Sequence, residues 1–332
     1  MIISRTPFRI SFFGGGTDYP IWFQKNGGAV INCTIDKYSY LFVRYLPPFF
    51  KYNYKIRYYK KEEILNIDQI KHPTIREVLK YFKLQNKKLD ITHTSDLPAQ
   101  SGLGSSSSLT VGLIHAISTL ENIFLTKKEL AYKAINIEYD ILKENIGCQD
   151  QVISSFGGLN YINFEKNRNI LVEKIFLDNS ALENFQESLL LVFTNLQRNA
   201  NTIAKKQIKN IQNNKSDKYL NEMSQLTDYA KNEIFSKKNI NLKDLGSALN
   251  EQWQIKKKLA NNITNNEIND IYNCGLKNGA LGGKLLGAGN GGFILFIVNK
   301  KVKKKLIEKF KNHINVPVKI DSIGSQIIYY KK

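Results

Sequence analysis

Cysteine is nearly absent: Cys33, Cys148 and Cys274 are the three in 332 residues. They lie far apart and form no Cys-x-x-Cys pair, which argues against a disulfide framework and against a cysteine-built zinc site. Proline is scarce at 7, and the 21 glycines are not periodic, so collagen-like and proline-rich architectures are excluded. No apolar run reaches the length needed to cross a bilayer. No basic stretch followed by a long apolar segment opens the chain, so a secretory signal is not expected; a cytoplasmic protein without a membrane partner is. The four histidines, His72, His93, His115 and His313, show no metal-ligand spacing. Acidic residues are outnumbered, 29 against 48 basic ones, for a formal charge of +19.

Apolar residues make up 42% of the chain, enough for a real core. The length suits two domains, placed at 1–185 and 186–332. Lysine is spread along the whole sequence, as solvated surface would have it. Its densest run, Lys300 to Lys311, is interrupted by Ile307 and Phe310 at a spacing that predicts the buried stripe of a helix. No zinc-finger spacing or nucleic-acid-binding strand motif accompanies the charge, so no nucleic-acid partner is expected. Such a surface would still attract small anionic substrates.

The periodicities mix. Strands are predicted at 2–13, 28–46, 52–60, 159–165, 171–176, 188–194 and 325–330, with a strand, glycine loop and strand over 282–298. Helices are predicted at 72–82, from Ser105, and from Thr126, where Glu129 completes a capping box and Gly147 closes the helix. Residues 199–275 read as mostly helical, with Trp253 as a core anchor. The fold class is therefore α+β.

The strongest local signal is Pro98-Ala99-Gln100-Ser101-Gly102-Leu103-Gly104-Ser105-Ser106-Ser107-Ser108, followed at once by an apolar-striped helix. The glycines allow close backbone approach, and unpaired N–H groups of a first helical turn form an anion site. A serine-rich N-cap after an ordinary loop is the plainer alternative. Walker A and Rossmann spacings both fail here. Glu138 and Asp150, twelve apart, place one carboxylate on a helix and one on a loop beyond Gly147; such a pair can hold Mg²⁺ and accept a proton. Equally, Glu138 could be a solvated helix residue and Asp150 a turn former. At the N-terminus, Arg9 precedes Gly14-Gly15-Gly16-Thr17-Asp18-Tyr19. There Asp18 offers a fork for adjacent hydroxyls and Arg9 a partner for a developing alkoxide, or else the segment is a plain turn with a surface arginine.

Together these segments resemble the GHMP kinase superfamily of small-molecule kinases. Residues 98–107 resemble its central phosphate-binding motif, and GGKLLGAGNGGF (282–293) its third motif, with Asn290 where glycine is usual. Thr6 to Arg9 through Thr17-Asp18-Tyr19, and GCQDQ (147–151), are similar to the sugar-kinase branch; Gly15-Gly16 stand where Glu-His is usual. Further stretches, TNLQRNANTI (194–203) and NEQWQIKKKL (250–259), resemble the heptose-phosphate kinases. The resemblance implies a two-domain fold: an N-terminal domain of mixed sheet and packed helices, and a ferredoxin-like C-terminal α/β domain. It implies ATP and Mg²⁺, with ATP phosphates on Pro98, Ser101, Gly102, Leu103, Gly104, Ser105, Ser106 and Ser107. Asp150 and Arg9 become catalytic, and Ser106 and Glu138 the metal ligands. The substrate is assigned to Gly15, Gly16, Thr17, Asp18, Tyr19 and Gly289, and its distal phosphate first to Arg198, with Lys205, Lys206, Lys256 and Lys257 as alternates. The implied reaction phosphorylates the C1 hydroxyl of D-glycero-D-manno-heptose 7-phosphate on the way to a GDP-activated heptose for surface polysaccharide. The partners are that sugar phosphate and ATP, in a monomer or homodimer. A fucose- or galactose-type acceptor, or a silent binding protein on the same fold, are the alternatives.

Overall fold

The computed structural model describes residues 1–196 and 200–331. The chain forms strands β1 (Ile2–Phe13), β2 (Gly28–Tyr45), β3 (Tyr54–Arg57), β4 (Lys61–Ile64), β5 (Leu89–Ser95), β6 (Leu159–Phe164) and β7 (Ile170–Lys174), then β8 (Leu189–Phe193), β9 (Gly282–Leu285), β10 (Phe293–Ile297), β11 (Asn315–Val316) and β12 (Gln326–Tyr330). The N-terminal sheet runs β12-β1-β2-β5-β3-β4. The long β2 pairs β5 along its C-terminal half and β6 along its N-terminal half. Helices Ser105–Leu120 and Pro73–Tyr81 cover one face of it.

The C-terminal sheet has the order β11-β8-β10-β9, all antiparallel. In chain order that is 4-1-3-2, the ferredoxin-like arrangement. Among the described residues four α-helices, Ala200–Gln212, Asp217–Tyr229, Leu242–Lys256 and Asn266–Lys277, with a π-helical turn at Ala230–Ile234, separate β8 from β9. The last strand, β12, returns to the first sheet and bonds to Ile2–Arg5 of β1. One apolar cluster joins the halves: Phe12 of β1 packs on Phe185 and Phe235, and Trp253 is fully buried.

Local departures have local causes. The predicted strand 52–60 is shorter, β3 over Tyr54–Arg57, and turns through 58–60 into β4, with Arg57 facing Lys61. Gly147 does not close the helix that starts at Thr126. That helix is α-helical over Lys127–Ile135, widens into a π-helical turn over Asn136–Ile141, and ends there. Residues 149–156 and 179–188, left without a helix by the sequence pattern, are helical. In the lysine-rich helix Lys300–Lys309 Leu306 is buried, as is Phe310 just past its end, while Ile307 is 41% exposed.

Candidate active site

β1 breaks its register with β2 between Pro7 and Arg9. Proline has no N–H for the ladder, and a bulge there re-aims the next side chains. The freed Arg9 N–H donates to Leu103 O at 3.0 Å, tying β1 to the glycine loop. The Arg9 guanidinium then reaches three acceptors. Nη1 donates to Gly102 O at 2.5 Å, while Nε and Nη2 each donate to one Asp150 oxygen at 2.8 Å. This is the two-pronged geometry that fixes a carboxylate in plane. Asp150 lies in the first turn of helix Gln149–Phe156, not on a loop.

The loop 98–104 delivers its backbone to the same place. Gly104 is left-handed (φ 79°) and serves as N-cap with no side-chain bond, so Ser105, Ser106 and Ser107 form the first turn. That removes the serine N-cap alternative: the amides of the turn are left for a ligand. A methyl group at Gly104 would stand 3.2 Å from Arg9 Cγ and 3.3 Å from Asp150 Oδ2. Gly102 is pressed against the other domain, with its missing Cβ 2.8 Å from Leu286 O; in return a Cβ on Gly287 would lie 2.6 Å from Gly102 Cα.

Beneath the turn, Glu138 is fully buried. It accepts from Ser107 Oγ at 2.8 Å, Thr110 Oγ1 at 2.5 Å and the Gln151 amide. Burial pushes its carboxyl up to about 7, against the pull of Thr110 and its other donors. Asp18 is likewise buried and raised by burial. It accepts from Gly16 N–H at 2.9 Å and from the Gln149 backbone and side chain at 3.2 and 3.1 Å. Gln149 Oε1 has no donor among the described residues.

These groups surround one cavity of about 430 Å³. Arg9, Gly15, Gly16, Asp18, Tyr19, Gly102, Gly104, Ser105, Ser106, Ser107 and Asp150 line it. That volume, with convergent polar groups and a shifted carboxylate at its floor, is the form of a small-molecule site.

Known proteins resemble this chain over most of its length. The family model described as GHMP kinases N terminal domain matches residues 70–158, and that described as GHMP kinases C terminal matches 236–316. D-glycero-alpha-D-manno-heptose 7-phosphate kinase of Campylobacter jejuni is 30% identical over 93% of both chains. The chain belongs to the GHMP kinase family. It shares its fold with the crystal structure of a D-glycero-D-manno-heptose 1-phosphate kinase from Bacteroides thetaiotaomicron, at TM-score 0.81 and 23% identity over the whole of both chains. A putative sugar kinase from Campylobacter jejuni aligns over 98% of both chains at TM-score 0.71 and 27% identity.

In this GHMP kinase the other expected residues fall as follows. Ser101 and Leu103 are buried behind the loop, and Pro98 is exposed outside the cavity. Thr17 is buried and donates to Gly14 O and Ala29 O, holding the turn rather than facing the cavity. Glu138 lies below the wall, behind Ser107. Gly289 abuts Ile263, while its neighbours Gly287 and Ala288 line the cavity. Arg198 lies outside the described residues. The sequence reading overlooked Gln149, Glu144, Gln207 and Lys284, which all line the cavity. Gln149 adjoins Asp150 within the matched GCQDQ stretch; nothing local singles out the other three.

Proposed function

We propose that this chain transfers the terminal phosphoryl group of ATP to the anomeric C1 hydroxyl of D-glycero-D-manno-heptose 7-phosphate, giving the 1,7-bisphosphate that a nucleotidyl-activated heptose would require. The observation that carries the reading is the Arg9–Asp150 fork, set against the backbone of Gly104 in one cavity. The 30% identical heptose 7-phosphate kinase supports the choice of acceptor.

In this mechanism the amides of Ser105 to Ser107 and the loop Gly102–Gly104 hold the nucleotide phosphates. Asp150 faces the acceptor oxygen and aligns it, or takes its proton, for in-line attack; Arg9 fixes that carboxylate and stabilises charge growing beside it. Gly15 and Gly16 let the sugar lie against backbone, and Asp18 with Gln149 Oε1 receive its hydroxyl protons. Tyr19, bonded to Gln207 at 3.0 Å, closes that wall.

The donors present suit magnesium. Among the described residues no three His, Cys, Asp or Glu side chains gather as a metal cage. One carboxylate and neighbouring hydroxyls, with phosphates completing the shell, is how Mg²⁺ is commonly held. Ser106, on the cavity wall, would hold it together with the phosphates, and Glu138, behind Ser107 and bonded to Ser107, Thr110 and Gln151, would have to turn from these partners to join it. Bound there, the ion would neutralise charge on the phosphates.

A panel of heptose 7-phosphate, free heptose, galactose and fucose, scored for ADP release and for the position of the new phosphate, tests the reading. The expected outcome is turnover of the heptose 7-phosphate with phosphate on C1; turnover of free hexoses alone refutes it. Asp150→Asn should lower kcat by roughly a thousandfold or more while ATP still binds. Near-normal turnover would remove Asp150 from the chemistry.

A further inference from the structure

Two buried ammonium groups on the cavity wall have no part in the chemistry above. Lys256 ends helix Leu242–Lys256 and is 7% exposed; Lys284 lies in β9 and is 3% exposed. Both line the cavity. A buried cation is costly unless an opposite charge meets it. Each is held by carbonyls alone: Lys256 donates to Leu285 O at 2.9 Å and Gly287 O at 2.5 Å, and Lys284 to Phe12 O at 2.7 Å. Among the described residues no carboxylate lies within ion-pair distance of either. Of the acids lining the cavity, Asp150 is held by Arg9 and Asp18 by Gly16 and Gln149, and Glu144 makes no ion pair with either lysine. Burial lowers both ammonium groups, Lys256 to about 7, and Lys284 is pushed further down by Lys256 and Arg9. Among the described residues neither ammonium has an anionic partner on this wall.

The donor arithmetic points to the missing anion. An ammonium carries three N–H groups. Lys256 has used two and Lys284 one, so three remain between them, as many as the terminal oxygens of a phosphate monoester. Position says whose phosphate it is. The nucleotide phosphates have their own anion site in the first turn of helix Ser105–Leu120. Lys284 instead hangs from Phe12, just before the Gly14–Asp18 turn, and feels the charge of Asp18. That is the acceptor's wall.

We propose that Lys256 and Lys284 form the recognition site for a phosphate monoester carried by the acceptor, so that this kinase selects a sugar already phosphorylated away from the reacting hydroxyl. The inference rests on the kinase reading above and moves the role first given to Arg198 onto described residues. The sequence offers Lys256 for this role only as one of four alternates in a lysine-rich stretch, and it hides Lys284 inside a glycine motif.

The test uses Lys256→Met and Lys284→Met in the full chain, folding checked by circular dichroism. Methionine keeps the length without the charge, so the core should tolerate it. KM is measured for heptose 7-phosphate, free heptose and ATP, and heptose 7-phosphate binding is measured by calorimetry without ATP. Loss of charge-assisted hydrogen bonds predicts a rise of about 10- to 100-fold in KM for the sugar phosphate and a matching loss of binding. KM for ATP should stay within about twofold, and the preference for the phosphorylated sugar should collapse. A sugar-phosphate KM unchanged in both variants, or a rise confined to ATP, overturns the proposal. If the wild type uses heptose 7-phosphate and the variants use it equally well, only the lysine assignment falls. If the wild type refuses every phosphorylated sugar, the acceptor reading itself falls.

Discussion

At the residue scale, Gly147 shows how tightly the acceptor side is built. A Cβ there would stand 1.9 Å from Asp18 Oδ2, with backbone on either side held by the Cys148 N–H to Asp18 O bond at 3.0 Å. Gly147→Ala must therefore displace the Asp18 carboxylate or the segment beneath it. We expect a stability loss of about 1–3 kcal/mol, the usual cost of overpacking, and a raised KM for the sugar with KM for ATP little changed. Denaturant melts and steady-state kinetics check both; an unaltered sugar KM would show that Asp18 does not touch the acceptor. The sequence made Gly102, Gly104, Asp18 and Asp150 legible because glycines flanking a serine run, and a lone acid after a glycine turn, are rare patterns with few physical uses. Lys256 comes forward only as one of several alternates, and Lys284 not at all. Among 48 basic residues nothing in type or spacing marks the ones whose side chains fold inward.

At the scale of elements, the amphipathic stripes located the long helices and the alternation in β2 located its half-solvated end. The short helix Gln149–Phe156 escaped because its eight residues are too few for a stripe to show, and glycines flank it on both sides. The π-helical turn at Asn136–Ile141 escaped for another reason: one extra residue in a turn rotates the following stripe by about 100°. Glu138 itself continues the buried face of Ala131 and Ala134 and comes under Ser107. Helix Ser105–Leu120 is also fastened at its far end, where His115 Nδ1 meets Ser325 Oγ at 3.0 Å just before β12. Burial lowers the His115 imidazole to about 4 from its ordinary 6.5. In the unfolded chain it would take up a proton below about pH 6.5, so the folded state should lose stability as pH falls from there toward 4. His93, lowered to about 4 in the same way, adds to the trend. His115→Gln should flatten part of this loss, seen as a drop of a few degrees less in Tm between pH 7 and pH 4.5. An identical pH profile in the variant would mean that the imidazole is protonated without cost.

At the scale of the molecule, the net charge of +19 and the two inward lysines act together on anionic ligands. Raising ionic strength from about 20 mM to about 300 mM shortens the screening length severalfold. With ATP saturating, kcat/KM for the phosphorylated acceptor should fall several-fold over that range, and any residual turnover of free heptose should hardly change. Equal salt sensitivity for both acceptors would place the relevant charge at the nucleotide instead. The α+β class and the two-domain plan were legible from the mixed periodicities and the family motifs. The return of β12 to β1 was not, because a strand's partner across more than 300 residues leaves no trace in local pattern.

The contact between Gly102 and Gly287 bears on how this enzyme can change. Gly102 occupies the space a Cβ on Gly287 would need, and the Leu286 carbonyl occupies the space at Gly102, so a substitution at one position cannot be rescued at the other; relief would have to come from the whole interdomain seam. Libraries aimed at new acceptors should leave both positions untouched and diversify 256, 284 and 149, where altered chemistry need not pry the two halves apart.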